Sequence, residues 1–218
     1  MTGLRFPSHG LYAITDSTLQ YGRALEEAVA GAIAGGAKVV QYRDKSRDAE
    51  RRQTEAAALV AVCRRHGVPL IVNDDIELAL NTDADGVHLG REDADLSAAR
   101  SRLGKQRIIG VSCYNQLELA EAAQRDGADY VAFGSMFGSA TKPDATRAEI
   151  ATVESARRCI SLPIVAIGGI TPENGAMLLN AGVDLLAVIR GVFGHDDPAE
   201  SARQYATLFA ERAQDEET

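Results

Sequence analysis

Gly35-Gly36-Ala37-Lys38-Val39-Val40-Gln41-Tyr42-Arg43-Asp44-Lys45 is the stretch on which the fold reading turns. A glycine pair ends an Ala-rich helix, and a short apolar run follows it as a buried strand. The strand then closes on Gln, Tyr, Arg, Asp and Lys, which is not how a core strand finishes. It presents a polar, mostly cationic cluster at one end of a sheet. The rest of the chain reads as a scaffold that brings other polar strand ends to the same place.

Outward from this stretch the same alternation repeats. Short apolar runs at 10–15, 39–42, 69–72, 86–89, 108–111, 130–133, 163–167 and 185–189 alternate with eight helical stretches. Several helix boundaries are signalled locally. Asp48 is placed as an N-cap and Gly67 as the stop of one long helix. Thr171-Pro172-Glu173 is a helix start, with Thr as the cap and Pro in the first turn. Runs that are apolar throughout imply parallel strands covered on both faces. Eight such units in 218 residues imply an α/β fold, a single (β/α)8 TIM barrel with its active site at the C-terminal strand ends. An open doubly wound sheet is the alternative. A weak internal repeat favours the barrel: Ala34-Gly-Gly-Ala-Lys-Val-Val, Asp83-Ala-Asp-Gly-Val-His, Gly127-Ala-Asp-Tyr-Val-Ala and Gly182-Val-Asp-Leu-Leu-Ala each lead into an even-numbered strand. The expected organisation is one domain over residues 1–218, with 1–9 and 214–218 as loose ends.

Composition narrows the function. A net charge of −8 argues against a nucleic-acid surface but leaves room for a local basic pocket. The three cysteines, Cys63, Cys113 and Cys159, match neither a zinc pattern nor a disulfide framework, which implies a reducing, cytoplasmic setting. No apolar run approaches the ~20 residues that span a bilayer, and the first residues carry no signal-peptide core. Small molecules are the expected partners, and a homo-oligomer is compatible with the sequence.

The polar strand ends form a composite rim. The second strand gives Gln41, Arg43 and Lys45, the third Asn73 and Asp74. Asp93 follows the fourth and Ser112 ends the fifth. A long loop over 135–146 carries Ser139-Ala140-Thr141-Lys142, while Gly168-Gly169 and Ile189-Arg190 close the last two strands. Asp74 and Asp93 are placed to share one hard cation such as Mg²⁺, with helix capping or a turn as the plainer role for each. Arg43, Lys45 and Lys142 suit phosphate, the alternative being a solvated rim. Lys45 also admits a Schiff-base role, although nothing around it signals desolvation. The glycine pair before a Thr-capped helix suits close approach of a phosphate. His88, within a strand, reads as core packing, His195 as surface, and Cys113 as a bystander.

Together, Gln41-x-Arg43-x-Lys45, Asn73-Asp74, Gly86-Val-His-Leu-Gly90 with Asp93, Val111-Ser112, Ser139-Ala-Thr-Lys-Pro143 and Ile167-Gly-Gly-Ile170 resemble the thiamine-phosphate synthase (thiamine-phosphate pyrophosphorylase) family along nearly the whole chain. The resemblance implies a transferase that joins 4-amino-2-methyl-5-hydroxymethylpyrimidine diphosphate to a thiazole phosphate and releases pyrophosphate. It implies Mg²⁺ on Asp74 and Asp93. It implies the pyrimidine diphosphate on Gln41, Tyr42, Arg43, Asp44, Lys45, Asn73, Ser112 and Lys142, with Arg43, Lys45, Ser112 and Lys142 catalytic. The thiazole phosphate is implied on Ser139, Ala140, Thr141, Gly169, Ile189 and Arg190. Three positions depart from the family pattern: Asp44 where Glu is frequent, Ser139 where Thr is usual, and Arg190 where Ser is common. A thiazole tautomerase-type relative, a non-catalytic phosphate-binding barrel and a Lys45 Schiff-base aldolase are the competing readings.

Overall fold

The structure is a computed structural model that describes residues 4–19, 24–90, 95–138 and 146–216. Eight parallel strands close into a barrel in chain order: β1 (Gly10–Ile14), β2 (Ala37–Tyr42), β3 (Leu70–Asn73), β4 (Gly86–Leu89), β5 (Ile108–Tyr114), β6 (Tyr130–Gly134), β7 (Ile164–Ile167) and β8 (Leu185–Val188). The seam closes by pairing Gly10 with Leu185 and Ala13 with Val188. Around the strands lie α1 (Leu25–Ala34), α2 (Ala49–His66), α3 (Ile76–Thr82), α4 (Leu96–Leu103), α5 (Leu117–Arg125), α6 (Ile150–Cys159), α7 (Pro172–Asn180), α8 (Arg190–Phe193) and α9 (Pro198–Glu216). No helix among the described residues is long and apolar enough to cross a membrane.

The caps read from sequence are in place. Asp48 accepts from Arg51 N–H at 3.0 Å, and Gly67 ends α2 in the left-handed conformation. At α7, Asn174 Oδ1 accepts from Thr171 N–H at 2.9 Å. Two details differ. The turn before β2 uses one glycine in a special conformation: Gly35 keeps φ −77 while Gly36 takes φ 111, so the strand starts at Ala37, earlier than its apolar run suggests. The eighth strand stops at Val188, and Arg190 opens the short helix α8, which has no periodicity long enough to be read from sequence.

Strand alternation sorts the core into two layers. Tyr12, Ile14, Val39, Ile71, Ile108, Tyr130, Ala132, Val165, Leu185 and Ala187 fill the barrel, with Phe6 stacked on Tyr130 at 3.9 Å between ring centroids. Their neighbours Leu11, Ala13, Val40, Leu70, Val72, Val87, Ile109 and Val131 face the helices. Each fully buried side chain of this size contributes about 1.5–3 kcal/mol. Gly110 is required by this filling, because a Cβ there would lie 1.9 Å from Cζ of Tyr130, whose ring crosses the lumen.

The repeat seen in the sequence has a structural meaning at the N-terminal face. Asp85 accepts from Leu70 N–H at 2.9 Å, Asp129 from Ile109 N–H at 2.8 Å, and Asp184 from Ile164 N–H at 2.7 Å. Each aspartate precedes an even strand and staples the start of the odd strand before it. In the remaining copy Lys38 takes this place, and its stem covers Gly10 at the start of β1. A polar N–H at a buried strand end must find a partner, and three of the four copies supply a carboxylate.

Candidate active site

The period of two along β2 divides the opening stretch. Gln41 and Arg43 point into the cavity at the C-terminal mouth of the barrel. Tyr42 and Asp44 point outward to α2. The Tyr42 hydroxyl donates to Glu55 Oε2 at 2.7 Å. Asp44 accepts from Ser46 N–H and from Arg51 Nη2, both at 2.7 Å. Burial pushes the Asp44 carboxyl up, but these hydrogen bonds outweigh it and hold it below the ordinary carboxylate range. The expectation that the entire run lines one wall therefore narrows to Gln41 and Arg43, because adjacent strand residues face opposite sides, and Lys45 lies outside the cavity lining.

Arg43 is held from β1. Its Nη1 donates to Asp16 Oδ2 at 2.8 Å, and its N–H to Thr15 Oγ1 at 3.0 Å. Asp16 Oδ1 accepts in turn from the Thr18 N–H at 2.9 Å and hydroxyl at 2.7 Å. Sequence reasoning did not single out Asp16 as a site residue; an acidic residue one step past an apolar strand, adjacent to the cationic end of β2, was the available signal.

Lys45 and Asp74 meet beside the cavity through a Nζ to Oδ2 ion pair, and Asn73 Nδ2 donates to the same oxygen at 2.6 Å. The capping alternative for Asp74 gives way: Asp75 is the N-cap of α3, accepting from Leu78 N–H at 2.9 Å. Asp74 itself sits at φ 65, a conformation that costs energy in a non-glycine residue and that clusters at functional sites. A carboxylate with amide and ammonium neighbours is a hard oxygen donor, which fits Mg²⁺ rather than zinc. Among the described residues no group of three or more His, Cys, Asp or Glu is placed to hold a metal. Asp93, Ser139, Ala140, Thr141 and Lys142 lie outside the described residues.

The cavity has a volume of about 650 Å³. Gln41, Arg43, Asn73, His88 and Ser112 line one side, while Gly168, Gly169, Ile189 and Arg190 line the other. Arg190 is exposed and lies in the first turn of α8. The glycine pair has a packing reason. A Cβ on Gly168, at φ 106, would lie 2.1 Å from Ser135 Oγ; one on Gly169 would lie 2.4 Å from Gly138 O. The segment after β6 runs against them, with Met136 N–H on Ile167 O and Phe137 N–H on Gly168 O, both at 2.9 Å.

His88 is not core filler. It lines the cavity, with Nδ1 2.9 Å from the Tyr130 hydroxyl and Nε2 2.8 Å from Ser112 Oγ. It shares the inward register of its sheet neighbour Asn73 on β3. Cys113 is buried with its thiol pushed up to about 12 by burial, so it stays protonated. His195 is exposed at the cavity mouth.

A closed (β/α)8 barrel with amide, hydroxyl and guanidinium groups around one mouth has the architecture of barrel enzymes that bind small molecules at the C-terminal strand ends. The family model for thiamine monophosphate synthase matches residues 11–192, and the chain belongs to that family. The thiamine-phosphate synthase of Thiobacillus denitrificans is 53% identical over 205 residues, 94% of this chain and 96% of that protein. That of Methylococcus capsulatus is 50% identical, over 94% of this chain and 92% of the relative. The solved thiamine phosphate pyrophosphorylase from Pyrococcus furiosus superposes with a TM-score of 0.85 at 33% identity, covering 94% of this chain and 96% of that one. A native KDPGal structure, at TM-score 0.70 and 17% identity, shares the fold alone.

Proposed function

We propose that the chain is a thiamine-phosphate synthase in which the Gln41, Arg43, Asn73 and Ser112 side of the cavity binds the pyrimidine diphosphate and the Gly169, Ile189 and Arg190 side binds the thiazole phosphate. The observation that carries this reading is the convergence of these polar strand ends on one cavity in a member of this family. Lys142 is assigned to the pyrimidine diphosphate and Ser139, Ala140 and Thr141 to the thiazole phosphate, and Asp74 with Asp93 would hold Mg²⁺. Those residues would place the ion's charge against the departing diphosphate, where it would offset the negative charge that develops.

The chain's own groups carry the remaining work. The aminopyrimidine expels diphosphate because its ring stabilises the cation left behind, and the thiazole nitrogen attacks that cation. Arg43, fixed by Asp16, offers preorganised N–H donors to the leaving group. Lys45 adds a point charge beside Asp74, and Ser112 a hydroxyl. No protein nucleophile is needed. The aldolase alternative loses support from the ion pair and from the exposure of Lys45, at 56%, because a Schiff-base lysine needs a desolvated pocket or a cationic neighbour.

The test mixes the purified protein with both substrates and Mg²⁺ and follows pyrophosphate and thiamine phosphate. Equimolar appearance of the two is expected. Absence of product overturns the synthase reading, and product undiminished by chelation overturns the metal assignment.

A further inference from the structure

Five side chains form one hydrogen-bonded row across the barrel. Gln41 Nε2 donates to the Tyr12 hydroxyl at 2.8 Å. The Tyr12 and Tyr130 hydroxyls lie 2.9 Å apart, and the Tyr130 hydroxyl is 2.9 Å from His88 Nδ1. His88 Nε2 is 2.8 Å from Ser112 Oγ. Both ends of the row, Gln41 and Ser112, line the cavity. The two phenols in the middle are buried, at 1% and 0% exposure, with Tyr12 in the cavity wall and Tyr130 behind it.

Proton counting gives the row a direction. A phenol has one proton. Tyr12 accepts from Gln41 and has the Tyr130 oxygen as its one acceptor among the described residues; with its proton placed there, Tyr130 passes its own proton to His88 Nδ1. With Nδ1 as acceptor, the ring proton sits on Nε2 and donates to Ser112 Oγ. The Ser112 hydroxyl proton is then left for the cavity. At the other end, Gln41 Oε1 has no partner among the described residues and is not sealed from the cavity. Burial pushes both phenols well above their ordinary range, so the row keeps its protons.

We propose that this row is a positioning relay of fixed polarity: the buried Tyr12–Tyr130 pair selects the Nε2–H tautomer of His88, turns the Ser112 hydroxyl proton into the cavity, and leaves Gln41 Oε1 facing it as an acceptor. Tyr12 and Tyr130 are positioning residues, since in this relay they act through Gln41, His88 and Ser112. The two cavity-facing ends are coupled, because reversing one bond reverses every bond between them. What the two ends touch rests on the synthase reading; the row itself does not.

Full-length protein labelled with ¹⁵N-histidine tests this by long-range ¹H–¹⁵N spectra, with a His88→Asn variant assigning the ring among the four histidines. The expected wild-type ring is protonated on Nε2 and accepts on Nδ1. Tyr130→Phe moves the Nδ1 resonance towards that of a free ring nitrogen, and Tyr12→Phe introduces the Nδ1–H tautomer. Tyr12→Phe also lowers kcat/KM by about tenfold, and by clearly less in a Ser112→Ala background, because relayed effects are not additive. A wild-type ring protonated on Nδ1, or His88 nitrogens indifferent to both tyrosine variants, overturns the relay. So does full additivity with Ser112→Ala. If one tyrosine variant does not fold, the other reads the same nitrogens. Coupled shifts in a protein that makes no thiamine phosphate uphold the relay and remove the assigned reaction.

Discussion

The Asp16 carboxylate holds the Arg43 guanidinium at 2.8 Å across the ends of two neighbouring strands, with 2% of the first side chain and 14% of the second exposed. The pair is nearly buried, and Asp16 is itself fixed by Thr18. Arg43 therefore enters the cavity already oriented, with Nη1 committed to Asp16. Such orientation matters most where charge develops during reaction, since it needs no rearrangement at that moment.

Asp16→Asn keeps the shape but weakens the grip on Arg43. It is expected to lower kcat/KM by about tenfold or more, with a modest loss of stability. Asp16→Ala leaves a guanidinium without its partner and costs about 3 kcal/mol, at the low end for a broken buried pair because Arg43 still reaches the cavity. Steady-state kinetics beside urea melts measure both, and wild-type kinetics in Asp16→Asn would remove the positioning role.

Asp74 separates backbone from charge. Its φ of 65 is a conformation that Asn adopts as readily as Asp. Asp74→Asn is therefore expected to fold with stability within ~0.5 kcal/mol of the parent, while losing the carboxylate that pairs with Lys45. Activity should fall at least ~10-fold, with a higher Mg²⁺ requirement. Asp74→Ala should lose about 1 kcal/mol in addition, from strain. An Asp74→Asn variant with the parent's Mg²⁺ titration would show that the carboxylate serves the fold alone.

The fold was legible because its signals are local and repeated. Apolar strand runs, caps such as Asp48 and Thr171, and the phrase before the even strands each report on a few adjacent residues, and all agree. The candidate site was legible as a set of strand ends but not as directions. Tyr42 and Asp44 belong to the same polar run as Gln41 and Arg43, and only the barrel's inward register sends them to α2. His88 looked like core for the converse reason: its partners Tyr130 and Ser112 are 42 and 24 residues away, and no local pattern joins them. Asp16 was missed because it acts on Arg43, 27 residues on, rather than on a ligand.

Asp44 ties stability to pH. Its carboxyl lies below the ordinary range in the folded protein, so near pH 4 the unfolded chain binds more protons there than the folded one. The stability it contributes is present above the ordinary carboxylate value, about 4, and is lost as pH falls through the folded value. Asp44→Asn should be less stable than the parent near neutral pH, and the gap should close below about pH 4. Urea melts across that range test this, and a gap that stays constant into acid would mean that the Arg51 and Ser46 contacts do not depend on charge.

The staples at the opposite end of the barrel should separate stability from activity. Asp129 Oδ2 accepts from Ile109 N–H at 2.8 Å and from Arg100 Nη2 at 2.6 Å. Removing the carboxylate orphans a strand N–H and takes one acceptor from the Arg100 guanidinium, which keeps the carbonyls of Gly104, Arg107 and Gly127. Asp129→Ala is expected to lose about 1–3 kcal/mol. The cavity lies at the C-terminal mouth and Asp129 at the other face, so kcat and KM should stay at their parent values under conditions where the variant is folded. Asp184→Ala should behave alike, since it holds Ile164 N–H and Arg157 in the same way. A loss of kcat in folded Asp129→Ala, with the same melting temperature as the parent, would contradict the division of labour between the two faces.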